Sequence, residues 1–571
     1  MGKLYLNGVD DRFDPDTDHV IGPWCLIGSR WIGDDWSRFD FVEPFELAAD
    51  EVRAADECAT LIRFHITRLS TQLNTQHNKM RDISFWWTLL TPWLQHLVEA
   101  SWRHWVSVEQ FVGRHRGEIL TYDVPATPEN FNFDFADTRD FIYRGLRSPD
   151  VLSWMMADFL RELGPDHWTK RPIPAPDFVS GNAATISPPA QTSAIKQALR
   201  RFLGRLPVAN VPGMSLSSIP LSLYVNLLPR RTCAEDFKGL PADAPPDSFP
   251  PAYLSALETL IDQTMPRSFT KDFRAYDTQA ATSRYRCKRL FVTAPTIFED
   301  RQTFEIAHAL MAGERVVRTQ HGSEYGIVDV FNIGWMNEYV NAAFLSWGWS
   351  GHKNFPGRFL PVSSPMLAGL SGRYKCRSRQ IVLVSTAAVL VPFRIASAQR
   401  PSTMSGYRSD KALFIKGLDA SVQHDLVYRP YKRGHTDLPD QEWLEQHVGP
   451  LEIHTGPLTS SLLRSRLTVL DHPGTTLHIA MAANVPTVCF WRHGLFAPSA
   501  EEKPLFDLLK SAGILHEDPE SAAAHINDIA NDVSVWWRSE KTQTARRTWS
   551  AKHAHTDRIW WWSWLRALAK I

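Results

Sequence analysis

Apolar residues recur every three or four positions through "DECATLIRFHITRLSTQLNTQHN" (56–78) and "SFWWTLLTPWLQHLVEASWRHWVSVEQFVGRH" (84–115). This is the period of a helix that buries one face, so residues 40–120 are expected to form a helix-rich unit. From about 121 to 285 the period weakens and prolines cluster in "KRPIPAPDF", "SPPAQTS" and "LPADAPPDSFPPAYL", marking loops on a folded body. Beyond 285 the texture changes. "RLFVT", a helical "RQTFEIAHALMAG", "RVVRT" and "YVNAAFLSWGW" alternate as in the βαβ units of a parallel sheet. A basic, glycine-containing stretch, "AGLSGRYKCRSRQ" (368–380), reads as a linker. After it come "IVLVSTAAVL", "ALFIKGL", "DLVYRPY", "LEIHTG", "RLTVLDH" and "PTVCFW", short apolar runs separated by turns and helices. They predict a second doubly wound α/β domain over roughly 380–540.

A chain of 571 residues is too long for one ordinary core, which agrees with two large domains. Lys+Arg and Asp+Glu balance at 62 each, so there is no global electrostatic footprint for nucleic acid. The cysteines (Cys25, Cys58, Cys233, Cys287, Cys376, Cys489) are scattered without a C-x-x-C pair, against a disulfide framework or a zinc ribbon. The N-terminal stretch has no basic region followed by an apolar one, and nowhere do eighteen apolar residues run together. A cytoplasmic location is the expectation. Tryptophan is abundant, 22 residues, mostly for core packing. The stretch "DRIWWWSWLRALAKI" sets Trp560, Trp561, Trp562, Trp564 and Leu565 among Arg558, Arg566 and Lys570. Such a basic aromatic helix suits a membrane interface or a closing helix across two domains, and both readings stay open. A second basic amphipathic segment, "AIKQALRRFLGRL" (194–206), adds to the expectation of peripheral contact with the inner membrane.

Two α/β domains facing one another across a cleft form the GT-B architecture, in which ligands bind beyond the carboxyl ends of the strands. Three stretches sit at such ends. In "VVRTQHGSEYGI" (316–327), Gly322 and Gly326 are expected to turn the loop and let backbone approach a ligand. His321 would move a proton and Gln320 hold a hydroxyl or carboxylate. In "RLTVLDHPGTTLHIAMAANVPTVCFW" (466–491), a loop of Asp471, His472, Pro473, Gly474, Thr475 and Thr476 leads into a helix. Thr475 and Thr476 are expected to cap that helix and, with its free N–H groups, to seat a phosphate. Arg429, ending a neighbouring strand, would neutralise it through a forked contact. In "FVTAPTIFEDRQTFEIAHAL", Glu299 and Asp300 lie between strand and helix, where a carboxylate can project into the His321 cleft or cap the helix. The string "DPDTDH" (14–19) reads as a solvated turn rather than a metal loop, so no metal is expected. No G-x-G-x-x-G, Walker, G-x-S-x-G or H-E-x-x-H motif occurs.

"WCL" (24–26), "LNTQHNKMRDISFWWTLLTPWL" (73–94) with Arg103 beyond it, "TQHGSEYG" (319–326), "FLSWGW" (344–349), "PVSSPML" (361–367), the "DHPGTTLHIAMAANVPTVCFW" block and "VWWRS" (535–539) together resemble a bacterial family of surface-carbohydrate transferases. That family is similar, more distantly, to GT-B enzymes that transfer 3-deoxy-ulosonic sugars such as Kdo from CMP donors. The resemblance implies retention through an Asp adduct. It raises Asn74, His77, Ser84 and Arg103 to acceptor-side or interface candidates. The family's loop usually reads Gln-His-Gly-Gly-x-Tyr-Gly, whereas Ser323 and Glu324 stand in the middle here, adding a carboxylate near the cleft.

The expectation is thus a GT-B-like α/β glycosyltransferase with an acceptor-side domain over 1–370, a nucleotide-sugar domain over 380–540 and a Trp-rich helix over 541–571. Arg429, His472, Pro473, Gly474, Thr475 and Thr476 would hold a nucleotide-activated sugar, CMP-linked by preference, with no further cofactor. Asp300, His321, Gln320 and Glu324 would act at the anomeric centre. The acceptor would be a surface polysaccharide or lipid-linked glycan. The alternatives are transfer of a polyol phosphate from a CDP donor, which needs a histidine base but no carboxylate nucleophile, and a non-catalytic glycan-binding or assembly protein.

Overall fold

The structure is a computed structural model that describes residues 2–571 apart from 35, 40, 128–130, 176–207, 210, 215–216, 229–238, 240, 283–289, 295–297, 387, 397–400, 432–437, 493–495 and 497. The amphipathic segment 194–206 lies outside the described residues. No helix among the described residues is long and apolar enough to cross a membrane.

The helix-rich start holds two long antiparallel helices, α1 (Ala48–His77) and α2 (Ile83–His115). Asn78 stops α1 in the left-handed conformation, and the Asp82 carboxylate caps α2 by accepting from Phe85 N. At 33 residues α2 is about 50 Å long and buried through most of its length, which is where much of the tryptophan goes. The unit also carries its own parallel sheet, which the sequence pattern did not reveal. Its strands are β1 (Gly2–Tyr5), β2 (His19–Val20), β3 (Leu120–Pro125) and β4 (Thr169–Ile173), in the order β2-β1-β3-β4. They are short and β3 enters a hundred residues after β2, so no local alternation betrays them.

The central sheet is β5 (Val208–Ala209), β6 (Leu290–Thr293), β7 (Arg315–Thr319), β8 (Ala343–Ser346) and β9 (Phe359–Pro361), all parallel and in chain order. The third sheet is β10 (Ile381–Val384), β11 (Leu426–Arg429), β12 (Glu452–Ile453), β13 (Leu467–Leu470), β14 (Thr487–Phe490) and β15 (Leu515–His516), ordered β12-β11-β10-β13-β14-β15. Of the apolar runs read after 380, "ALFIKGL" ends the helix Pro401–Lys416, and the others supply β10 to β14. The fold is therefore the expected α/β arrangement of two parallel sheets, carboxyl ends meeting, with a helix-rich addition; the third sheet is doubly wound, whereas the central one runs in a single direction in chain order.

Helix α2 braces both sheets. Trp87 Nε1 donates to Met336 O in the central unit (2.8 Å), and Arg103 Nη1 donates to Ile395 O in the loop after β10 (3.0 Å). Arg103 is only 1% exposed and pairs with Glu43 at 2.5 Å, so it stands at a domain interface. Breaking a buried pair of this kind costs about 3–5 kcal/mol. The tail divides. The helix Glu540–His553 packs Ala545 and Trp549 into the C-terminal core, and Trp560–Lys570 returns to the central one, where Trp564, Ala567 and Leu568 meet Val208, Leu290, Val317 and Ala343. The crossing passes so close to Gly348, φ +128, that a Cβ there would stand 2.4 Å from Ala551 O. The tail is a closing helix. Trp561 and Trp562 nonetheless remain 46% and 48% exposed.

Candidate active site

The loop after β7 is held from several sides. Gln320 is buried, its Nε2 donating to Gly322 O (2.9 Å) and its Oε1 accepting from Trp347 N (2.8 Å) and Trp349 Nε1 (2.9 Å). The amide expected to hold substrate instead fastens this loop to the one after β8. Gly326 has φ +72 and lies under the Trp349 ring, where a Cβ would come within 2.6 Å. Beside it, Tyr325 OH donates to Glu338 Oε1 (3.1 Å) and lies 2.8 Å from His321 Nδ1. With the phenol proton on the Glu338 side, its oxygen accepts Nδ1–H, and this tautomer leaves the lone pair of His321 on Nε2. Burial pushes the Glu338 carboxyl up to about 8, while the Arg318 guanidinium pulls the other way. Sequence reasoning missed Tyr325, Glu338 and Arg318 as a brace. Tyr325, four residues after His321, was the available signal.

His321 and Glu324 are both exposed, yet the protein packed around them partly desolvates each group. The crowding brings His321 down to about 4 and raises the Glu324 carboxyl, against the pull of Arg394. Glu324 is one of the non-glycine residues with positive φ (73°), a conformation that costs an L-residue about 1–2 kcal/mol. It lines a small cavity of about 40 Å3 with Gln95, His96 and Glu99 of α2 and Arg394 from the loop after β10. Arg394 Nε is buried there without a protein partner. All three units of the fold meet at this junction.

In the C-terminal sheet the strand order reverses between β10 and β13, the switch point where doubly wound sheets bind ligands. Ser385, just after β10, donates across that point to Asp471 Oδ2, just after β13 (2.6 Å). Asp471 also accepts from Tyr407 OH (2.7 Å) and pairs with Lys411 at 3.8 Å. Lys411 binds Asp440, which accepts from Tyr428 OH (2.9 Å). Tyr407, Tyr428 and Asp440 also line a cavity of about 240 Å3 with Thr386, Tyr431 and Gln441. Burial would raise the Asp471 carboxyl, but the hydrogen bond from His472 and the Lys411 charge hold it below the usual range.

Asp471 Oδ1 lies 2.8 Å from His472 Nδ1 and so orients that ring. His472 Nε2 rests over the start of the helix Thr475–Ala483, 2.6 Å from where a Cβ on Gly474 would be. Pro473 and Gly474 lead into the helix, and Gly474 is its N-cap with no side-chain cap. The expected capping by Thr475 is not what the structure shows. Thr475 Oγ1 accepts from Ser323 N (3.1 Å), joining the β13 loop to the His321 loop, and Thr476 is buried behind it. A Cβ at Gly322 would stand 3.1 Å from the same oxygen. His321 and His472 thus lie within three residues along the chain of one contact between the two sheets' carboxyl ends.

Other expected residues lie outside this group. Asp300 is buried in the first turn of the helix Asp300–Met311, its Oδ2 accepting from Ser268 Oγ (2.5 Å) and Thr138 N (3.1 Å). Burial pushes it up to about 6, and none of its described bonds reaches the His321 loop. Arg429 Nη1 braces the turn after β12, donating to Gly456 O (2.5 Å) beside His454 Nδ1 (3.0 Å). Asn74 closes the turn between α1 and α2 through Arg81 N, Arg81 O and Trp86 Nε1. His77 bonds Phe269 O (2.9 Å) and stacks on Phe273, and Ser84 bonds the capping Asp82 (2.7 Å).

A family model described as LIC12162 family transferase matches residues 3–568. No curated protein matches the chain. Among solved structures, a UDP co-structure of MnaA from S. aureus is similar at 11% identity and TM-score 0.30, covering 54% of this chain and 82% of that one. A mutant O-GlcNAc transferase from Thermobaculum terrenum is similar at 11% identity and TM-score 0.30, covering 92% and 85%.

Proposed function

The chain belongs to the LIC12162 family of transferases, and from that premise we propose that it transfers a sugar from a nucleotide donor to a glycan hydroxyl in the cleft between the central and C-terminal sheets. The observation that carries this reading is the braced His321. Its Nδ1 is tied through Tyr325 to Glu338, and its Nε2 is left as an acceptor at the junction of the domains. Nε2 takes the acceptor's hydroxyl proton as the acceptor oxygen bonds the anomeric carbon and the nucleotide leaves with the bonding pair. The switch-point cavity beside Tyr407 and Tyr428 suits the nucleoside. The start of the helix Thr475–Ala483, which no side chain caps, with His472 above it, suits the phosphate.

The donor we propose first is a CMP-linked ulosonic acid such as Kdo. Arg394, with Nε buried and lacking a protein partner beside Glu99 and Glu324, suits a sugar carboxylate. The acceptor we propose is a surface polysaccharide or lipid-linked glycan at the inner face of the membrane. Of the carboxylates expected at the anomeric centre, the accessible one is Glu324. The burial of Asp300, whose carboxylate is taken up by Ser268 and Thr138, favours a second reading, polyol-phosphate transfer from a CDP donor, since that chemistry uses a histidine base and no carboxylate nucleophile.

Calorimetric titration with CMP, CDP, UDP, GDP and ADP tests the proposal. Selective CMP binding is expected, and silence toward all of them from folded protein would sink the transferase site as drawn. 31P NMR of the product then separates the two readings, because only polyol-phosphate transfer leaves a new phosphodiester resonance.

A further inference from the structure

Away from the cleft, at the edge of the N-terminal sheet, two imidazoles converge on one carboxylate. His19 opens the edge strand β2, His115 ends α2, and Glu118 lies in the turn leading to β3. His19 Nε2 is 2.8 Å from Glu118 Oε2 and His115 Nδ1 is 2.7 Å from Oε1, so each ring takes one oxygen. The three donor atoms lie within 4.8 Å of one another. We propose that His19, His115 and Glu118 form a binding site for a divalent transition metal, zinc foremost, that staples the end of α2 to the edge strand.

Two imidazole nitrogens and a carboxylate oxygen are a borderline donor set that suits Zn2+, with solvent completing a tetrahedron. Zinc–ligand bonds of about 2.0–2.1 Å place neighbouring donors about 3.3 Å apart. Glu118 therefore has to withdraw by about 0.5 Å to admit the ion. It is free to do so, because its side chain is 46% exposed while its backbone is fixed. Glu118 N donates to His115 O (3.0 Å), and Glu118 O accepts from His167 Nε2 and Trp168 Nε1 (both 3.0 Å). The rings are equally well placed. Phe111 lies 4.4 Å from the His115 ring and 5.8 Å from the His19 ring, an apolar wall behind the donors. On binding, each neutral ring keeps its proton on the nitrogen turned away from the metal. Both described ion pairs of Glu118 are with these two histidines. His115 stands 16 residues, about 24 Å, from Glu99 along α2, so the ion is structural and takes no part in the cleft.

The test uses the full chain after chelation. Cobalt titration should give one equivalent of visible d–d absorbance that zinc displaces, and one equivalent of zinc should raise the midpoint of thermal unfolding. His19→Gln and Glu118→Gln, both at accessible positions, should each weaken zinc binding at least about tenfold and abolish the thermal shift. Unchanged binding in both variants, or no zinc effect on the parent, overturns the site and leaves the triad as a carboxylate held between two imidazoles.

Discussion

In the proposed reaction His321 would act as a base through Nε2 while Tyr325 accepts its Nδ1–H, with Glu338 holding Tyr325 from behind the loop. His321→Ala should lower transfer by about 10²–10⁴-fold with nucleotide binding retained. Tyr325→Phe should lower kcat with little change in KM. Because crowding brings the ring to about 4, His321 is neutral at neutral pH and the rate should stay level down to about pH 5; a fall centred on 6.5 would mean that the ring is not enclosed as drawn. Glu324 sets a second test. Glu324→Gly relieves the left-handed strain and should raise stability to urea by about 1 kcal/mol while lowering transfer. A variant that is neither more stable nor less active removes Glu324 from the site. These residues also mark how far the sequence reaches. The strand-end position of "TQHGSEYG" showed where chemistry could gather. It did not show that Gln320 turns inward to Trp347 and Trp349, or that Asp300 turns to Ser268 and Thr138. Side-chain direction at a strand end depends on neighbours that enter tens to hundreds of residues away.

At the scale of elements, helices α1 and α2 and strands β6 to β8, β10, β11, β13 and β14 were readable because each carries its own periodicity or a run of buried apolar residues. The four-stranded N-terminal sheet was not, since β2 has two residues and Thr169–Ile173 is largely exposed. The stretch "DPDTDH" forms the turn its composition predicts: Asp14 and Asp18 bond its backbone amides and that of Lys3. Its last residue, His19, escaped notice because His115 and Glu118 reach it only in three dimensions. The tail left two readings open, and its packing side is now assigned to the central core. Its other side, with Ile559, Trp561 and Trp562 exposed beside Arg566 over the Trp562 ring, is where lipid contact can be measured. Replacing Trp561 and Trp562 together by Ser should reduce sedimentation with anionic vesicles without shifting the unfolding midpoint. Equal sedimentation would take the membrane out of the proposal.

For the molecule as a whole, several histidines are buried as neutral rings. Burial brings His65, His96, His104 and His478 each down to about 3. The unfolded chain binds these protons near pH 6.5 and the folded one near 3, so their contribution is complete above about 6.5 and is lost as the pH falls toward 3. Asp300 and Glu338, raised to about 6 and 8, act in the opposite sense. Their contribution is present below the ordinary carboxyl range and is lost as the pH rises through those values. Unfolding by urea at a series of pH values should therefore show stability rising from acid to a maximum near neutrality. A curve flat between pH 4 and 6.5 would contradict the neutral burial of the histidines.

The return of the helix Trp560–Lys570 to the central sheet has a consequence for synthesis. Val208, Leu290, Val317 and Ala343 are made long before the residues that cover them, since Trp560 follows the end of β8 by 214 positions (560 − 346). At ordinary elongation rates of about 5–20 residues per second that is roughly 10–40 s during which an apolar face stands open on a nascent chain. The central unit cannot finish folding as it emerges. That face is closed only by a segment delivered after the entire C-terminal sheet.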